Sequence, residues 1–202
     1  MAARPTKRTL LLQTARSLFL EHGFVRTSVD TIVAAAGVSK PTFYAHFPTK
    51  EALLEAIVQA QVLEAPPSPA FLLTGQFDHD LRAVVRLLLQ LALSPDALAW
   101  DRIMAGEARR LPALGTLFFN GGPRHLLTLL RDFLHQSAQA GHLHLSDPAE
   151  AADFLFGWTL GIPLLQAQLT GQLPSPDDIE ARAAEIAQRF RRAYSRPPQE
   201  SA

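Results

Sequence analysis

The 202-residue chain has no cysteine, which excludes a disulfide framework and any thiolate metal or redox chemistry. Lysine is almost as scarce: Lys7, Lys40 and Lys50 are the full set, and all three fall in the first quarter. No apolar run is long. The longest, FLFGWTLGIPLL at 154–165, sits between Asp153 and Gln166 and falls short of the roughly 20 residues that span a bilayer, so it reads as a buried helix. The first residues carry charge but no apolar segment of the secretory type. A cytoplasmic chain without membrane contact is expected. A glycine-rich phosphate loop, G-x-S-x-G, H-E-x-x-H and paired catalytic carboxylates are also missing. An enzyme is therefore not anticipated, and no cofactor is called for. Strand-like alternation is nearly absent, and the pattern predicts an all-α fold.

What is present is unevenly spread. Nineteen basic and 19 acidic side chains balance overall, but residues 1–50 hold seven Lys or Arg against Glu21 and Asp30, while the remainder is net acidic. A positive first quarter on a negative remainder favours phosphate at one end and repels it elsewhere.

That quarter also carries the most specific pattern, TSVDTIVAAAGVSKPTFYAHFPTKEAL at 27–53. Ser28 is a good N-cap, and Val29, Ile32, Val33 and Ala36 repeat at helical spacing. Gly37 falls where the chain must leave the helix, a position that favours positive φ. Val38 fills the angle, Ser39 caps a second helix, and Pro41 falls in its first turn, where a missing N–H costs nothing. Phe43 and Phe47 share a buried face, leaving Lys40, Pro41, Thr42, Tyr44, Ala45 and His46 at the exposed side and leading end. This is a helix-turn-helix whose second helix has major-groove chemistry. Lys40 suits guanine or phosphate, Pro41 and Ala45 a thymine methyl, and Thr42, Tyr44 and His46 phosphate oxygens. Thr49 and Lys50 open the next helix, whose first amides form an anion site. Residues 6–22 supply the packing helix, with Leu11, Ala15, Leu18 and Phe19 on one stripe and Gly23 ending it.

The stretch from about Lys7 to Leu54 resembles the DNA-binding domain of the TetR family of bacterial transcriptional regulators. The resemblance rests on G-F-x-x-T-S at Gly23 to Ser28, A-G-V-S at Ala36 to Ser39, P-T-F-Y-A-H-F at Pro41 to Phe47 and K-E-A-L at Lys50 to Leu53. Pro41 stands where many members carry glycine, and Ala45 is smaller than is common there, departures that bear on base preference. The resemblance implies phosphate contacts for Thr27 and Ser28 as well. It also implies an N-terminal helix-turn-helix domain over 1–53 (core about 6–48, with a connecting helix over 49–64) and a helical effector-binding and dimerisation domain over 54–202.

Downstream, Pro66-Pro67-Ser68-Pro69 marks a joint over 64–75. Helices are predicted at about 77–93, from Ser94-Pro95 to about 110, and from Pro123 to about 140, with short turns over 111–119. Asp147-Pro148-Ala149-Glu150 is a strong helix start. In that helix Ala151, Leu155, Trp158, Ile162, Leu165 and Leu169 mark one face, and other faces are apolar too, so several sides must be covered. Pro163 is expected to kink it. A final helix over 176–194 points Ile179, Ala183, Ile186, Ala187 and Phe190 inward. An ordinary core helix is one reading. The resemblance favours another, in which the last two helices (about 147–170 and 176–194) build a homodimer bundle, and a two-fold dimer suits a palindromic operator with half-sites roughly 34–36 Å apart.

The resemblance also implies a small, mostly apolar effector. Trp100, Met104, Phe118, His125, Phe133 and Trp158 are candidates to line its site, with Gln166 as a polar partner, although aromatics at helical spacing are more often plain core. The segment 100–123 is similar to an AefR-like subgroup. His125, His135, His142 and His144 fit no metal spacing. The function expected is a repressor released from its operator by an effector. An architectural DNA binder without effector, or a small helical enzyme with an accessory helix-turn-helix, are the alternatives.

Overall fold

The structure, a computed structural model, describes residues 5–63 and 74–194. Among these residues are ten α-helices and no strand: α1 Lys7–His22, α2 Val29–Ala36, α3 Lys40–His46, α4 Lys50–Leu63, α5 Phe77–Ala92, α6 Pro95–Glu107, α7 Pro112–Gly121, α8 Pro123–Gln139, α9 Pro148–Thr170 and α10 Pro176–Tyr194. Their starts follow local chemistry. Thr6 caps α1 by accepting the Thr9 N–H at 3.1 Å, and Asp147 caps α9 by accepting the Ala149 and Glu150 N–H groups at 2.7 and 3.3 Å. α7 is one continuous helix where only short turns were expected, and α9 runs unbroken through Pro163. The proline-rich joint lies largely outside the described residues.

The chain packs as two compact units, one of residues up to 65 with 99–122, the other of 66–98 with the residues from 123 onward. The grouping of 99–122 with the first helices is apolar in origin. Trp100, Ile103, Met104 and Leu114 are buried in the same cluster as Leu11, Phe19, Ile32, Phe43, Leu53 and Leu54. Periodicity shows that a helix has a buried face but not which partner covers it. Arg110 adds a polar tie, donating to Glu51 at 3.0 Å and to the buried Glu107 at 2.9 Å.

In the second unit α10 packs chiefly on α5, and α9 on α8 and α5. Ala183, Ile186, Ala187 and Phe190 are buried as predicted, with Ile179 half-buried beside them. Arg82 and Arg86 both pair with Glu180 at the α5–α10 seam. The entry to α5 is fixed by a buried carboxylate: Asp80 accepts the Thr74 N–H and hydroxyl at 2.9 and 2.8 Å and the Gly75 N–H at 3.0 Å. Burial alone would raise its pKa, but these bonds and His79 outweigh it and hold the carboxyl below its ordinary value.

The face predicted for α9 splits in two. Ala151 and Leu155 are buried, together with Ala152, Thr159, Leu160 and Ala167. Trp158, Ile162, Leu165 and Leu169 instead join Phe154 on an exposed stripe, with Ile162 70% and Leu169 77% exposed. At about 100° per residue the predicted row keeps to one side, within roughly 40° of Ala151. The buried Ala152, Thr159, Leu160 and Ala167 lie about 80–180° round from Ala151, so the row borders the buried face and only Ala151 and Leu155 are covered.

Candidate nucleic-acid interface

Ser28 accepts the Thr31 N–H at 3.0 Å and starts α2. Gly37 ends it at φ 62°, in the left-handed region, with its N–H directed at Val33 and Ala34. The next amide, Val38 N–H, bonds the Val33 carbonyl at 3.0 Å, which satisfies an end-carbonyl and turns the chain sharply. Ser39 then caps α3 by accepting the Thr42 N–H at 3.3 Å. Phe43 and Phe47 are buried with ring centroids 6.1 Å apart, and they fix the rotation of α3. The opposite face follows from that rotation: Ser39, Lys40, Pro41, Tyr44, Ala45 and His46 are exposed, and Thr42 is half-buried. Tyr44 stands 53% exposed with its ring edge-on to Phe43 at 5.3 Å. The α3 residues expected at DNA are thus open to solvent, apart from the half-buried Thr42.

Two of the expected contact residues have side chains that bond within the protein. Thr27 is 1% exposed, and its hydroxyl donates to the Gly23 carbonyl at 2.8 Å, with that of Leu18 at 3.3 Å. Its hydroxyl holds the α1–α2 turn. Lys50 is also turned inward. Its ammonium donates to the carbonyls of Phe24 and Thr27 at 2.8 and 2.9 Å and lies 4.3 Å from the Phe24 ring centroid. Burial lowers its pKa below the ordinary lysine value. Lys50 therefore ties the start of α4 to the turn before α2. The Lys50 role was not visible locally, because its acceptors lie 23 and 26 residues away in sequence.

Two further groups were missed. Arg8 is exposed on α1 with its guanidinium carbon 5.4 Å from the Phe47 ring centroid, which brings a cation to the end of α3. Asp30, in the first turn of α2, places a carboxylate oxygen 2.6 Å from the Lys40 ammonium, both side chains more than half exposed. That hydrogen bond, with the attraction of opposite charges, raises the Lys40 pKa. The sequence signal was available: Asp30 is one of only two acids in the first fifty residues.

Residues 11–57 match the family described as bacterial regulatory proteins, tetR family, and residues 79–196 match the AefR-like transcriptional repressor, C-terminal domain. The chain belongs to the TetR family. As a TetR-family member it is a helix-turn-helix, DNA-binding transcriptional regulator, and such regulators act as dimers. An HTH-type transcriptional regulator of Mycobacterium tuberculosis is 26% identical over 195 residues, 92% of each chain. UidR of Escherichia coli is 45% identical over 56 residues, 28% of each chain. Among solved structures, a TetR-family regulator from Mesorhizobium loti is 26% identical with a TM-score of 0.83, covering 94% of this chain and 97% of its own. The flavonoid-responsive regulator FrrA is 33% identical with a TM-score of 0.75, covering 96% and 98%.

The six effector-site candidates of this TetR-family chain are divided between the two units. Trp100 and Met104 are buried, and Phe118 half-buried, in the apolar cluster around the helix-turn-helix. In the second unit His125 is half-buried on α8, and Phe133 stacks on Phe77 at 6.2 Å, beside a cleft of about 200 Å³ that includes His142. Trp158 lines an open depression of about 740 Å³ with Phe154 and Gly157. Gln166 lines a cleft of about 390 Å³ with Leu89, Leu93, Pro163 and Arg182. No group of three His, Asp or Glu side chains suited to a metal lies among the described residues. No single described helix is long and apolar enough to cross a bilayer.

Proposed function

We propose that this chain is a repressor whose two copies occupy successive major grooves of a palindromic operator and leave it when a small molecule binds. The observation that carries the reading is the face of α3, where the Ser39 cap and the Phe43–Phe47 anchor turn Lys40, Pro41, Tyr44, Ala45 and His46 outward together. Lys40, Pro41 and Ala45 meet base edges; Ser28, Ser39, Thr42, Tyr44 and His46 hold phosphates. The repressor sign follows the AefR-like match over 79–196. A regulator of chromosomal DNA works in the cytoplasm.

Dimerisation belongs to α9. Phe154, Trp158, Ile162, Leu165 and Leu169 form an apolar stripe along one exposed face, and a second copy related by two-fold symmetry would cover it with its own equal. The outer face of α10 is charged, with Glu185 and Arg189 paired on it, so α10 serves at the rim. The effector site is assigned to the second unit. The cleft of about 390 Å³ at Gln166 and Arg182 has the usual volume for such a site, with Gln172 and Asp178 as further polar groups among Leu89, Leu93, Pro163 and Ile179. The description of FrrA as flavonoid-responsive supports an aromatic effector, and a phenolate or carboxylate on it would suit Arg182.

Selection of bound duplexes from a random DNA pool by the purified chain tests this reading. An inverted repeat with half-sites about 10–10.5 base pairs apart, or a multiple of that, is expected. Sequences without two-fold symmetry, or a monomer in sedimentation, would overturn it.

A further inference from the structure

The recognition helix carries one Lys or Arg, Lys40. Its position is a poor one for helix stability. Lys40 is the first residue of α3, and a cation there meets the positive end of the helix dipole. Asp30 is well placed by the same rule, in the first turn of α2. The structure joins the two: the Lys40 ammonium lies 2.6 Å from an Asp30 carboxylate oxygen, on a surface where both remain accessible. Elsewhere in this unit Lys50 is held by two backbone carbonyls and Arg8 lies at the far end of α3, so the Asp30–Lys40 pair controls the one cation at the leading end of the recognition helix.

Such a pair has two properties that matter on DNA. It is weak, because exposed ion pairs contribute little net stability, so Lys40 can be drawn away by an acceptor of good geometry. It is also electrically neutral at a distance, so while it is closed it adds nothing to the general attraction for phosphate. A guanine edge, with two acceptors in the major groove, can compete for the ammonium. A passing phosphate must overcome both the bond and the repulsion of the carboxylate.

We infer that Asp30 is a specificity-determining residue: it keeps Lys40 neutralised on non-cognate DNA and releases it only to the base edge of the correct half-site. Asp30 acts through Lys40 and is a positioning residue; it makes no favourable DNA contact of its own. The inference rests on the DNA-binding role of the family and not on the operator's symmetry, the effector or the sign of regulation.

The test is fluorescence anisotropy of the full chain on two duplexes, one recovered by selection and one with its bases shuffled, across a salt series of about 50–200 mM. Asp30→Asn is expected to bind the shuffled duplex more tightly. Its log–log salt slope there steepens by about 0.9, one added phosphate contact, which is roughly eightfold in affinity near 0.1 M salt. Affinity for the selected duplex changes less, so the ratio between the two falls by about that factor. Asp30→Glu restores the wild-type slope and ratio. The double variant Asp30→Asn/Lys40→Gln, which removes both charges and so keeps the face neutral, lowers affinity for the selected duplex and leaves the shuffled slope unchanged. An Asp30→Asn slope equal to wild type, or equal tightening on both duplexes, would overturn the inference. So would a double-variant slope that flattens on shuffled DNA, since Lys40 would then already be at phosphate. Asp30→Ser repeats the measurement if the asparagine variant does not fold. If selection returns no preferred duplex, the operator reading fails on its own, while the shuffled slopes still decide for or against Asp30.

Discussion

Replacing Lys50 with methionine keeps most of the apolar stem and removes the ammonium, and so asks whether that charge holds the fold or the DNA. Its two bonds, to the Phe24 and Thr27 carbonyls at 2.8 and 2.9 Å, are of the charge-assisted kind that contributes about 1.5–3 kcal/mol each. The Phe24 ring at 4.3 Å adds about 0.5–1 kcal/mol as a cation–π contact. Against this stands the cost of desolvating the ammonium, visible as its lowered pKa. Because the lowered pKa shows that desolvation offsets much of this gain, a net loss of about 1–2 kcal/mol is expected, chiefly from the two carbonyls left without a donor. For a chain of this size that corresponds to a fall in Tm of roughly 2–8 °C. The assay is thermal unfolding by circular dichroism at fixed protein concentration, paired with the salt dependence of DNA binding at a temperature where both proteins are folded. Lys50→Met should melt early and bind with an unchanged salt slope. An unaltered Tm together with a slope flattened by about 0.9, the signature of a lost phosphate contact, would refute the reasoning.

Three other outcomes follow from the same geometry. Asp80→Asn removes the charge that gathers three donors at the start of α5, and denaturant unfolding should show a loss of about 1–3 kcal/mol at neutral pH. Because the folded pKa of Asp80 lies below its unfolded value, its contribution is complete above the ordinary carboxylate range near 3.9 and disappears as pH falls through the depressed folded value. The wild-type pH–stability curve should therefore contain an acid-side loss that Asp80→Asn lacks. Gly37→Ala has open space for the new Cβ but keeps a φ of 62°, so a cost of about 1–2 kcal/mol from backbone strain alone is expected, with Gly37→Asn milder in the same unfolding assay. Ile162→Asp, on the exposed stripe of α9, should leave the circular dichroism spectrum intact and convert a dimer into a monomer in sedimentation velocity.

Much of the fold was legible because its signals are local. Ser28, Gly37, Ser39 and the Phe43–Phe47 spacing each act within a turn or two, so the recognition face could be written down from the residues. What could not be read depends on partners distant in sequence. The inward turn of Lys50 needs carbonyls more than twenty residues earlier, and Thr27 is buried by the end of α1. Trp100, Met104 and Phe118 had the same apolar pattern whether they faced an effector or the helix-turn-helix, and composition does not choose between these. The α9 stripe was misassigned in part because two faces of that helix are apolar, and only packing tells which one is left over.

The lysine distribution makes amine chemistry a probe of one region alone. Lys7 is exposed at the start of α1, Lys40 shares its proton with a neighbouring carboxylate, and Lys50 is clasped by main-chain oxygens, while residues 51–202 offer no side-chain amine at all. Acylating reagents should mark these three in that order. The lag at Lys50 would then time the opening of the turn before α2, with no side-chain amine beyond residue 50 to add background.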